Sequence, residues 1–337
     1  MQTVLARLAE GRDLSSVEAE GAMELIAQGR ATEAQIASLI TALRLKGETA
    51  EEIAAFARVL KVHALSIKPA VTGRLVDTCG TGGDRAHTFN ISTAAALVAA
   101  GAGVPVVKHG NRMVSSSCGS ADVLEALGVR VDLPPQRVSA IVEETGIGFL
   151  FAPIFHPAMK HAAKARKDLG FSTIFNLLGP LLNPAGAQAR LCGVYSSALI
   201  HKFALSLCAL GTERAMVVHG DGLDEITISG GTYVAEVDRG TIREYTLTPE
   251  QFGISRSPVV TLRGNSPREN AAIIRDVLSG REGPTRDVVV MNAGAAIFLG
   301  EKSIDLSSGI SRAEEAIDSG AAAQKLGALV KASEENT

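Results

Sequence analysis

The stretch LVDTCGTGGDRAHTFNISTAAALVAAGAGVPVVKHGNR, residues 75–112, decides the fold of this chain. It begins with a short apolar run that ends at Asp77 and passes through the glycine-rich segment Gly80–Asp84. An Ala-rich run at 93–100 and a second apolar run at 104–108 follow. The two apolar runs predict buried strands, and the Ala-rich run predicts a helix. This order of strand, loop, helix and strand indicates an α/β domain with a largely parallel sheet.

The same alternation continues downstream of this stretch. We predict further strands at 148–151, 190–195 and 215–219, and helices at 120–127, 156–169 and 197–210. Two β-rich runs flank Asp238-Arg239-Gly240 and predict an antiparallel hairpin over 232–246. From Pro267 onward the chain is predicted to be mostly helical. We therefore assign residues 71–337 to a large α/β domain with a mostly parallel central sheet.

Residues 1–70 carry signals for helices alone. Three capping-box patterns, each a Ser or Thr followed by Glu or Gln at the third residue after it, precede amphipathic runs. They are Ser15 to Glu18, Thr32 to Gln35, and Thr49 to Glu52. We predict a small all-helical N-terminal domain over 1–70, joined by helices from about 160–185.

Apolar side chains on one of these predicted helices have two possible roles. Met23, Leu25 and Ile26 could face the core of the helical domain or a partner subunit. The core is the default, but a domain this small has little interior and must dock on something. We therefore also expect a homodimer formed through the helical domain.

Composition excludes several classes of protein. Hydrophobic residues make up 46% and charged residues 20% of the chain, as in a globular protein with a real core. The net charge of -3 offers no general attraction for nucleic acid or an anionic membrane, and 4% aromatics are too few for a stacking platform. The longest apolar run, at 93–107, is too short to span a bilayer. We predict no nucleic-acid partner and no membrane partner.

Two further signals predict a cytoplasmic location. The cysteines, Cys79, Cys118, Cys192 and Cys208, have no CxxC or metal-binding spacing and suit reduced thiols. The N-terminus carries no apolar segment of signal-peptide length.

Two neighbouring segments could bind phosphate. Gly80–Asp84 follows a strand, and its glycines allow consecutive N–H groups to approach phosphate oxygens. It is neither a Walker loop nor a GxGxxG fingerprint, and a plain tight turn explains it about as well. Asn90–Thr93 precedes a helix, whose N-terminus offers N–H groups and a positive dipole end, although simple capping is the alternative.

A third segment, Lys108–Arg112, follows a predicted buried strand. A strand interior does not favour Lys, His, Asn and Arg in succession, and α/β proteins place ligands at the carboxyl ends of strands. Lys108 and Arg112 supply positive charge for phosphate. A solvated basic turn is the alternative interpretation.

Two positions remain ambiguous from the residues alone. Asp224 and Glu225 suit a hard cation such as Mg²⁺, although an isolated acidic turn is usually only solvated. The predicted helix at 156–169 carries His156 and His161, which are five residues apart and so do not share a helical face as metal ligands do. By spacing alone, Arg166 on this helix is assigned to the surface.

Together these segments resemble the anthranilate phosphoribosyltransferase family of tryptophan biosynthesis, over essentially the whole chain. The combination is specific, although no single motif is. The matching motifs are GTGGD at 80–84, FNIST at 89–93, KHGNR at 108–112, GSADVLEALG at 119–128, FAPIFHPAMKHAAKARKDLG at 151–170, TIFNLLGPLLNP at 173–184, GLDE at 222–225 and NAGAA at 292–296.

The resemblance implies a nucleoside phosphorylase/phosphoribosyltransferase type of fold, a homodimer and Mg²⁺ as cofactor. It implies transfer of the phosphoribosyl group of 5-phospho-α-D-ribose 1-diphosphate (phosphoribosyl diphosphate) to the amino group of anthranilate. The products are N-(5-phosphoribosyl)anthranilate and diphosphate, in the second step of L-tryptophan biosynthesis from chorismate.

The resemblance also implies site residues by position. The implied metal residues are Ser92, Asp224 and Glu225. The implied anthranilate contacts are Gly80, Asn111 and Arg166, with His109 as a neighbour. The implied phosphoribosyl-diphosphate contacts are Gly80, Gly83, Asp84, Thr88, Asn90, Ile91, Ser92, Thr93, Lys108, His109, Gly110, Asn111, Arg112, Met113, Val114, Ser115, Ser116 and Ser120.

The chain departs from the family pattern at a few positions. Arg85 stands where the family usually has Gly, and Met113 and Ser117-Cys118 replace other common residues. All lie beside the implied binding loops, so they bear on substrate affinity more than on the type of reaction.

Two other functions were weighed against this one. A nucleoside phosphorylase shares the fold type and ribosyl chemistry, but the KHGNR and FNIST motifs disfavour it. A non-catalytic relative that binds nucleic acid would need a basic surface, which the net charge of -3 disfavours. No Ser-His-Asp or paired-carboxylate acid/base constellation is evident. We therefore expect catalysis by positioning and electrostatics, with inversion at C1 of the ribose.

Overall fold

The computed structural model describes residues 1–112 and 118–335. The strands are β1 Val76–Thr78, β2 Val106–Gly110, β3 Ile147–Phe151, β4 Ala189–Gly193, β5 Arg214–Gly220, β6 Thr232–Asp238 and β7 Thr241–Leu247. The helices are α1 Gln2–Ala9, α2 Ser16–Ala27, α3 Glu33–Lys46, α4 Ala50–Val62, α5 Ile91–Gly101, α6 Ser120–Leu127, α7 Pro135–Thr145, α8 Ala152–Phe155, α9 Lys160–Leu169, α10 Ile174–Leu178, α11 Ile200–Ala209, α12 Pro267–Leu278, α13 Pro284–Leu299, α14 Leu306–Asp318 and α15 Ala321–Glu334.

The predicted capping boxes start three of the N-terminal helices. At α3, for example, the Gln35 backbone N–H donates to the Thr32 hydroxyl at 3.2 Å, and the Thr32 N–H donates to the Gln35 side chain at 3.0 Å. The same reciprocal pairs precede α2 and α4. Because each box satisfies two otherwise unpaired donors, it fixes where the helix begins.

All seven strands form one sheet in the order β3-β2-β1-β4-β5-β6-β7. Strands β1 to β5 are parallel, and β6 and β7 are antiparallel, which confirms the mostly parallel sheet predicted from sequence. The predicted hairpin is present, with Arg239 and Gly240 both at positive φ as a tight two-residue turn requires. The strand order reverses between β1 and β4, so a crevice opens at their carboxyl ends.

Strands β1 to β5 are largely buried on both faces, whereas the edge strand β7 is mostly exposed. Along β5, Met216 and Val218 enter one apolar core, and Ala215 and Val217 enter a second core on the opposite face. The first core contains α5, α6, α7 and the C-terminal helices α12 to α15. The second contains α1 to α4 together with α9, α10 and α11.

The second core joins the N-terminal helices to later parts of the chain. Helix α9 packs on α3, and α10 and α11 both pack on α4. Met23 and Ile26 are 1% exposed within this core, so they face the interior and not a partner. A domain boundary at residue 70 stays a prediction, because this core continues across it.

Two local features differ from the predictions. The predicted helix at 156–169 is divided into a 3-10 turn at Pro157–Met159 and α9, with the separate short helix α8 before it, because a proline cannot donate the N–H that a continuous helix needs. Helix α7, which begins at Pro135, was not predicted. Within the described ranges no helix is long and apolar enough to cross a membrane.

Candidate active site

A cavity of about 650 Å³ opens at the crevice between β1 and β4. One wall, here called the sheet side, consists of residues 79–84, 87–92, 108–112, 118–120 and 224–225. The opposite wall, here called the helix side, consists of side chains from within residues 152–182. The predicted site residues that line the cavity are Gly80, Gly83, Asp84, Thr88, Asn90, Ile91, Ser92, Lys108, His109, Gly110, Asn111, Arg112, Ser120, Arg166, Asp224 and Glu225.

Five predicted site residues do not appear in this lining. Thr93 is 1% exposed and faces a separate small void behind β2 and β3, because it lies one residue further into α5 than Ser92. Met113, Val114, Ser115 and Ser116 lie outside the described residues.

Lys108 supplies a buried positive charge to the sheet side. Its side chain leaves β2 beneath the cavity and is 4% exposed. The Nζ donates to the Thr78 carbonyl and, at 3.1 Å, to the Ser92 hydroxyl. Lys108 therefore holds the end of β1 and the start of α5 together and places a fixed positive charge behind both.

Three carboxylates gather on the same wall. The Asp224 N–H lies 3.5 Å from Asp84 Oδ2, and Asp224 Oδ2 accepts the Gly82 N–H at 2.7 Å. Glu225 Oε1 accepts the Ser92 N–H at 3.1 Å. Burial, reinforced by the charge of Asp84, raises the pKa of Asp224 to about 7. Burial and the neighbouring Asp224 raise the pKa of Glu225 to about 8.

This donor set fits Mg²⁺, which prefers hard carboxylate oxygens. Crowded, buried carboxylates hold protons near neutral pH, and a divalent cation can replace those protons. Across 1–112 and 118–335, however, no three His, Cys, Asp or Glu side chains are placed to hold a metal alone. The arrangement therefore matches a Mg²⁺ site that waters and substrate phosphates complete.

The start of α5 differs from the prediction of unpaired N–H groups. The Ser92 N–H is taken by Glu225, and the Thr93 and Ala94 N–H groups donate to the Asn90 carbonyl. The positive end of a helix attracts a carboxylate for the same reason that it attracts phosphate. Glu225 thus occupies a position that suits a phosphate oxygen.

Arg112 lines the cavity but is already paired. Its guanidinium binds Glu125 through both terminal nitrogens and stacks 5.3 Å from the centre of the Phe151 ring. The Glu125 hydrogen bonds raise the pKa of Arg112. A phosphate contact by Arg112 would have to share the guanidinium with Glu125.

Arg166 projects from α9 on the helix side. It is half-buried, with its guanidinium 5.3 Å from the centre of the Phe175 ring, and burial lowers its pKa. In the described part of the chain it has no acidic partner. A half-buried cation over an aromatic ring, without a carboxylate, is suited to bind the carboxylate of a planar aromatic ligand. This placement overturns the assignment to the surface that spacing alone gave.

Two neutral histidines lie between the walls. The His109 and His156 rings meet edge to face with centroids 4.9 Å apart, and each residue is 4% exposed. Burial lowers the pKa of His109 to about 4, and burial together with His109 lowers that of His156 to about 3. His109 Nδ1 lies 3.2 Å from the Gly179 carbonyl, which favours a proton on that nitrogen. His161 instead packs against Gly29 of the N-terminal helices.

Buried polar groups beneath the cavity join β1 to β2 and the connector after α10 to the sheet. Asp77 Oδ1 accepts the His109 N–H at 3.1 Å, and Arg190 donates to the Pro180 carbonyl at 2.7 Å. The Asn183 amide donates to the Val107 carbonyl at 2.7 Å. The connector after α10 is thereby held to β2 and β4.

The glycine-rich loop continues into a strained segment. Arg85 and His87 both have positive φ, at 60° and 53°. Such values cost a non-glycine residue about 1 kcal/mol or more. Arg85 stands at the position where the resemblance implies Gly, so the departure has a direct conformational cost.

Several residues of the helix side were not predicted as site residues. The motifs at 151–170 and 173–184 match the family, but among their residues only Arg166 was predicted to contact a substrate. The additional residues that line the cavity include His156, Met159, Lys160, Phe175, Asn176 and Pro180.

The fold and the two-walled site define the class of protein. Residues 2–64 match the family described as glycosyl transferase family, helical bundle domain. Residues 72–323 match the glycosyl transferase family, a/b domain. The chain is therefore a glycosyl transferase built from a helical bundle and an α/β part.

Individual relatives narrow this class. The chain is 57% identical over 326 residues to the anthranilate phosphoribosyltransferase of Methanocorpusculum labreanum, covering 97% of this chain and 96% of that protein. It is 53% identical to the one from Moorella thermoacetica, covering 98% and 97% of the two chains.

Solved structures agree. The anthranilate phosphoribosyltransferase of Thermus thermophilus has a TM-score of 0.93 at 44% identity and covers 98% of this chain and 99% of that chain. The Saccharomyces cerevisiae enzyme in complex with PRPP (phosphoribosyl diphosphate) and Mg has a TM-score of 0.89 at 31% identity, with 98% of each chain covered. The chain belongs to the anthranilate phosphoribosyltransferase family, whose members are pentosyltransferases of tryptophan biosynthesis.

Proposed function

We propose that this chain transfers the phosphoribosyl group of phosphoribosyl diphosphate to the amino group of anthranilate, with Mg²⁺. The observation that carries the proposal is one cavity with two chemically different walls. The sheet side presents carboxylates, backbone donors and Lys108 for a metal-bound diphosphate. The helix side presents Arg166 and Phe175 for an aromatic carboxylate.

The residues on each wall suit positioning more than proton transfer. Arg166 and Asn111 hold anthranilate so that its neutral amino group faces C1 of the ribose. That amino group is a weak base with a free lone pair, so no strong general base is needed. His109 and His156 stay neutral near pH 7 and keep the acceptor side free of extra positive charge.

The difficult step is the departure of diphosphate from C1, which gives the ribose oxocarbenium character. The backbone N–H groups of Gly83 and Asp84 stabilise the charge on the leaving group as it develops, whereas those of Thr81 and Gly82 already donate to Gly193 and Asp224. Asp84, Asp224 and Glu225 would hold Mg²⁺, which supplies charge neutralisation to the diphosphate when it is bound. Attack from the opposite face gives inversion at C1.

The loss of anthranilate fluorescence tests the proposed reaction. Anthranilate, phosphoribosyl diphosphate and Mg²⁺ are mixed with the protein, and fluorescence should fall only when all three are present. No loss under these conditions would refute the activity. A parallel reaction with a nucleoside and inorganic phosphate should release no base; release would favour the nucleoside phosphorylase alternative.

The metal assignment has its own test. We expect the Asp224→Ala/Glu225→Ala double variant to show a changed Mg²⁺ dependence, measured as activity against Mg²⁺ concentration and as Mn²⁺ binding by electron paramagnetic resonance. An unchanged profile in both measurements would remove this pair from the metal site.

We also propose a homodimer formed through the N-terminal helices. Four of the nine large apolar side chains found exposed lie in residues 1–70, which is about a fifth of the chain. They are Val17, Leu45, Val62 and Leu65. Such a concentration of exposed apolar surface on a small module suits a self-complementary interface.

A further inference from the structure

Two buried asparagines lie outside the cavity and form hydrogen bonds with residues that belong to its sheet side or directly follow it. Asn270 on α12 and Asn292 on α13 are both 0% exposed, and neither lines the cavity. Given the proposed function, on which this inference rests, we propose that both are positioning residues. Asn270 sets the geometry of the segments that bind phosphoribosyl diphosphate, and Asn292 sets that of the Asp224-Glu225 pair.

Asn292 forms two hydrogen bonds with Ile226, the residue that follows the carboxylate pair. The Ile226 N–H donates to Asn292 Oδ1 at 3.0 Å, and Asn292 Nδ2 donates back to the Ile226 carbonyl at 2.8 Å. This pairing uses both sides of the amide, as a neighbouring strand would, and therefore fixes the orientation of the peptide. The second Nδ2 hydrogen donates to the Val288 carbonyl at 2.9 Å, which anchors the amide to its own helix.

Backbone hydrogen bonds also hold the segment 220–223, which precedes the carboxylate pair. Gly220 and Leu223 exchange backbone hydrogen bonds at 2.9 and 3.0 Å. Asp224 and Glu225 therefore lie between two fixed points, and Asn292 provides the second of them. Releasing Ile226 would let the carboxylates drift away from Asp84 and the cavity.

Asn270 acts on the other part of the sheet side. Its Nδ2 donates to Asn90 Oδ1 at 2.9 Å, and Asn90 Nδ2 donates to the Cys118 carbonyl at 3.1 Å. Asn90 precedes α5 and Cys118 precedes α6, and both line the cavity. This chain of amides links the starts of two helices that are otherwise separate.

The contact also changes what Asn90 does. An Asn before a helix usually caps it, but the Asn90 side chain makes no capping bond to α5. The Asn270 amide is confined on its far side, since a Cβ added at Gly264 would come within 2.1 Å of its Oδ1. In this position Asn270 holds the Asn90 side chain towards Cys118.

A purely structural role for these residues makes a different prediction. Loss of a buried hydrogen bond destabilises a fold wherever it occurs. Positioning roles instead predict two distinct functional changes from two chemically matched residues. Each asparagine is therefore the control for the other.

The experiment compares Asn270→Ala and Asn292→Ala, with Asn270→Ser and Asn292→Ser as milder variants that keep a polar group. For each, KM is measured for both substrates at saturating Mg²⁺, together with Tm. Mn²⁺ binding is measured by electron paramagnetic resonance with enough inorganic diphosphate to saturate each variant.

We expect Asn270→Ala to raise KM for phosphoribosyl diphosphate about 10-fold and to leave Mn²⁺ affinity within about twofold of wild type. We expect Asn292→Ala to weaken Mn²⁺ binding about 10-fold. Neither should change KM for anthranilate more than about twofold, and each Ser variant should lie between its Ala variant and wild type.

The inference is overturned if the variants lower Tm but leave both KM values and the Mn²⁺ affinity unchanged. It is also overturned if each variant changes both KM values and the Mn²⁺ affinity to the same extent. In both cases the proposed function still holds, provided that the wild-type chain consumes anthranilate. A wild-type chain that neither consumes anthranilate nor binds Mn²⁺ with diphosphate overturns the proposed function and this inference together.

Discussion

At the residue scale, Arg166 shows how little spacing alone can decide. Its position on a basic, polar helix predicts a surface side chain. In the structure, however, the guanidinium lies over the Phe175 ring and Arg166 lines the cavity. Half-buried and without an acidic partner among the residues described, it can pair with a ligand carboxylate with little competition from the protein. A charged hydrogen bond of this kind contributes about 1.5–3 kcal/mol.

We therefore expect Arg166→Ala to raise KM for anthranilate by about 10- to 100-fold, because loss of 1.5–3 kcal/mol corresponds to that range. KM for phosphoribosyl diphosphate should change far less. Steady-state kinetics with each substrate varied in turn measures both. Lys164→Ala is the control, since Lys164 lies on the same helix but is 66% exposed and pairs with Glu33. Equal effects on the two substrates would refute the role.

Arg85 tests whether the strained loop is costly. With φ of 60°, its backbone suits Gly better than any residue with a Cβ. We expect Arg85→Gly to be about 1 kcal/mol more stable than Arg85→Ala in urea denaturation. At Arg12, which is exposed and has no positive φ, Gly should not be more stable than Ala. An Arg85→Ala variant as stable as Arg85→Gly would show that the strain is absent.

The neutral histidine pair predicts a pH dependence of stability. Both have pKa values far below the ordinary 6.5, so the unfolded chain binds more protons as the pH falls below 6.5. The stabilisation is complete above pH 6.5 and is lost towards pH 4 and 3, at about 2 kcal/mol per histidine by pH 5. Chemical denaturation of wild type and His156→Gln between pH 8 and 5 measures it. The variant should lose less stability on acidification; parallel curves would contradict the expectation.

At the element scale, Gly193 ends β4 and Gly80 stands two residues after β1, because another segment crosses both positions. A Cβ at Gly193 would lie 1.5 Å from the Asp224 carbonyl oxygen, and one at Gly80 would lie 2.2 Å from Asp224 Oδ2. The loop that carries the carboxylates therefore sits directly on the crevice where the strand order reverses. The absence of a side chain at Gly80 and Gly193 leaves room for the carboxylates to reach the cavity.

We expect Gly193→Ala to lower kcat/KM about 100-fold or more, because a shift of about 1 Å in the carboxylates misplaces the reacting groups. Gly21→Ala is the control. No heavy atom lies within 4 Å of a Cβ added there, and Ala favours its helix by up to about 1 kcal/mol. That control should be fully active and at least as stable as wild type. Full activity in Gly193→Ala would mean that the loop can move without loss.

The elements themselves were largely predictable because their signals are local. Capping boxes predicted the starts of α2, α3 and α4, and short apolar runs between turns predicted the strands. Helix α7 and the break at Pro157 were not predicted, although both carry local signals: Pro135 and Gly146 bound α7, and Pro157 interrupts the helix before α9. Asn270 and Asn292 could not be assigned roles from sequence, because their partners lie 180 and 66 residues away. The sheet side could be predicted as a site because its motifs follow strands, whereas the helix side depends on how α8 to α10 pack.

At the scale of the whole molecule, the cavity lies between two packing units. The sheet side belongs to the strand ends, and the helix side belongs to helices that pack on the N-terminal module. The Arg190–Pro180 and Asn183–Val107 hydrogen bonds tie the connector between these units to the sheet. The position of the N-terminal module therefore bears on where Arg166 stands relative to the carboxylates. A partner subunit bound to that module would stabilise the same arrangement.

The proposed homodimer gives the prediction at this scale. Leu45 and Val62 are 83% and 82% exposed on α3 and α4, and burying each in an interface contributes about 1.5–3 kcal/mol. We expect light scattering after size exclusion to give about twice the chain mass of 35.0 kDa for wild type. Leu45→Glu/Val62→Glu should give the single-chain mass, because a buried interface does not accept unpaired carboxylates. Ile304→Glu, at a 91% exposed position in the α/β part, should stay dimeric. A monomeric wild type, or a double variant that remains dimeric, would exclude this interface.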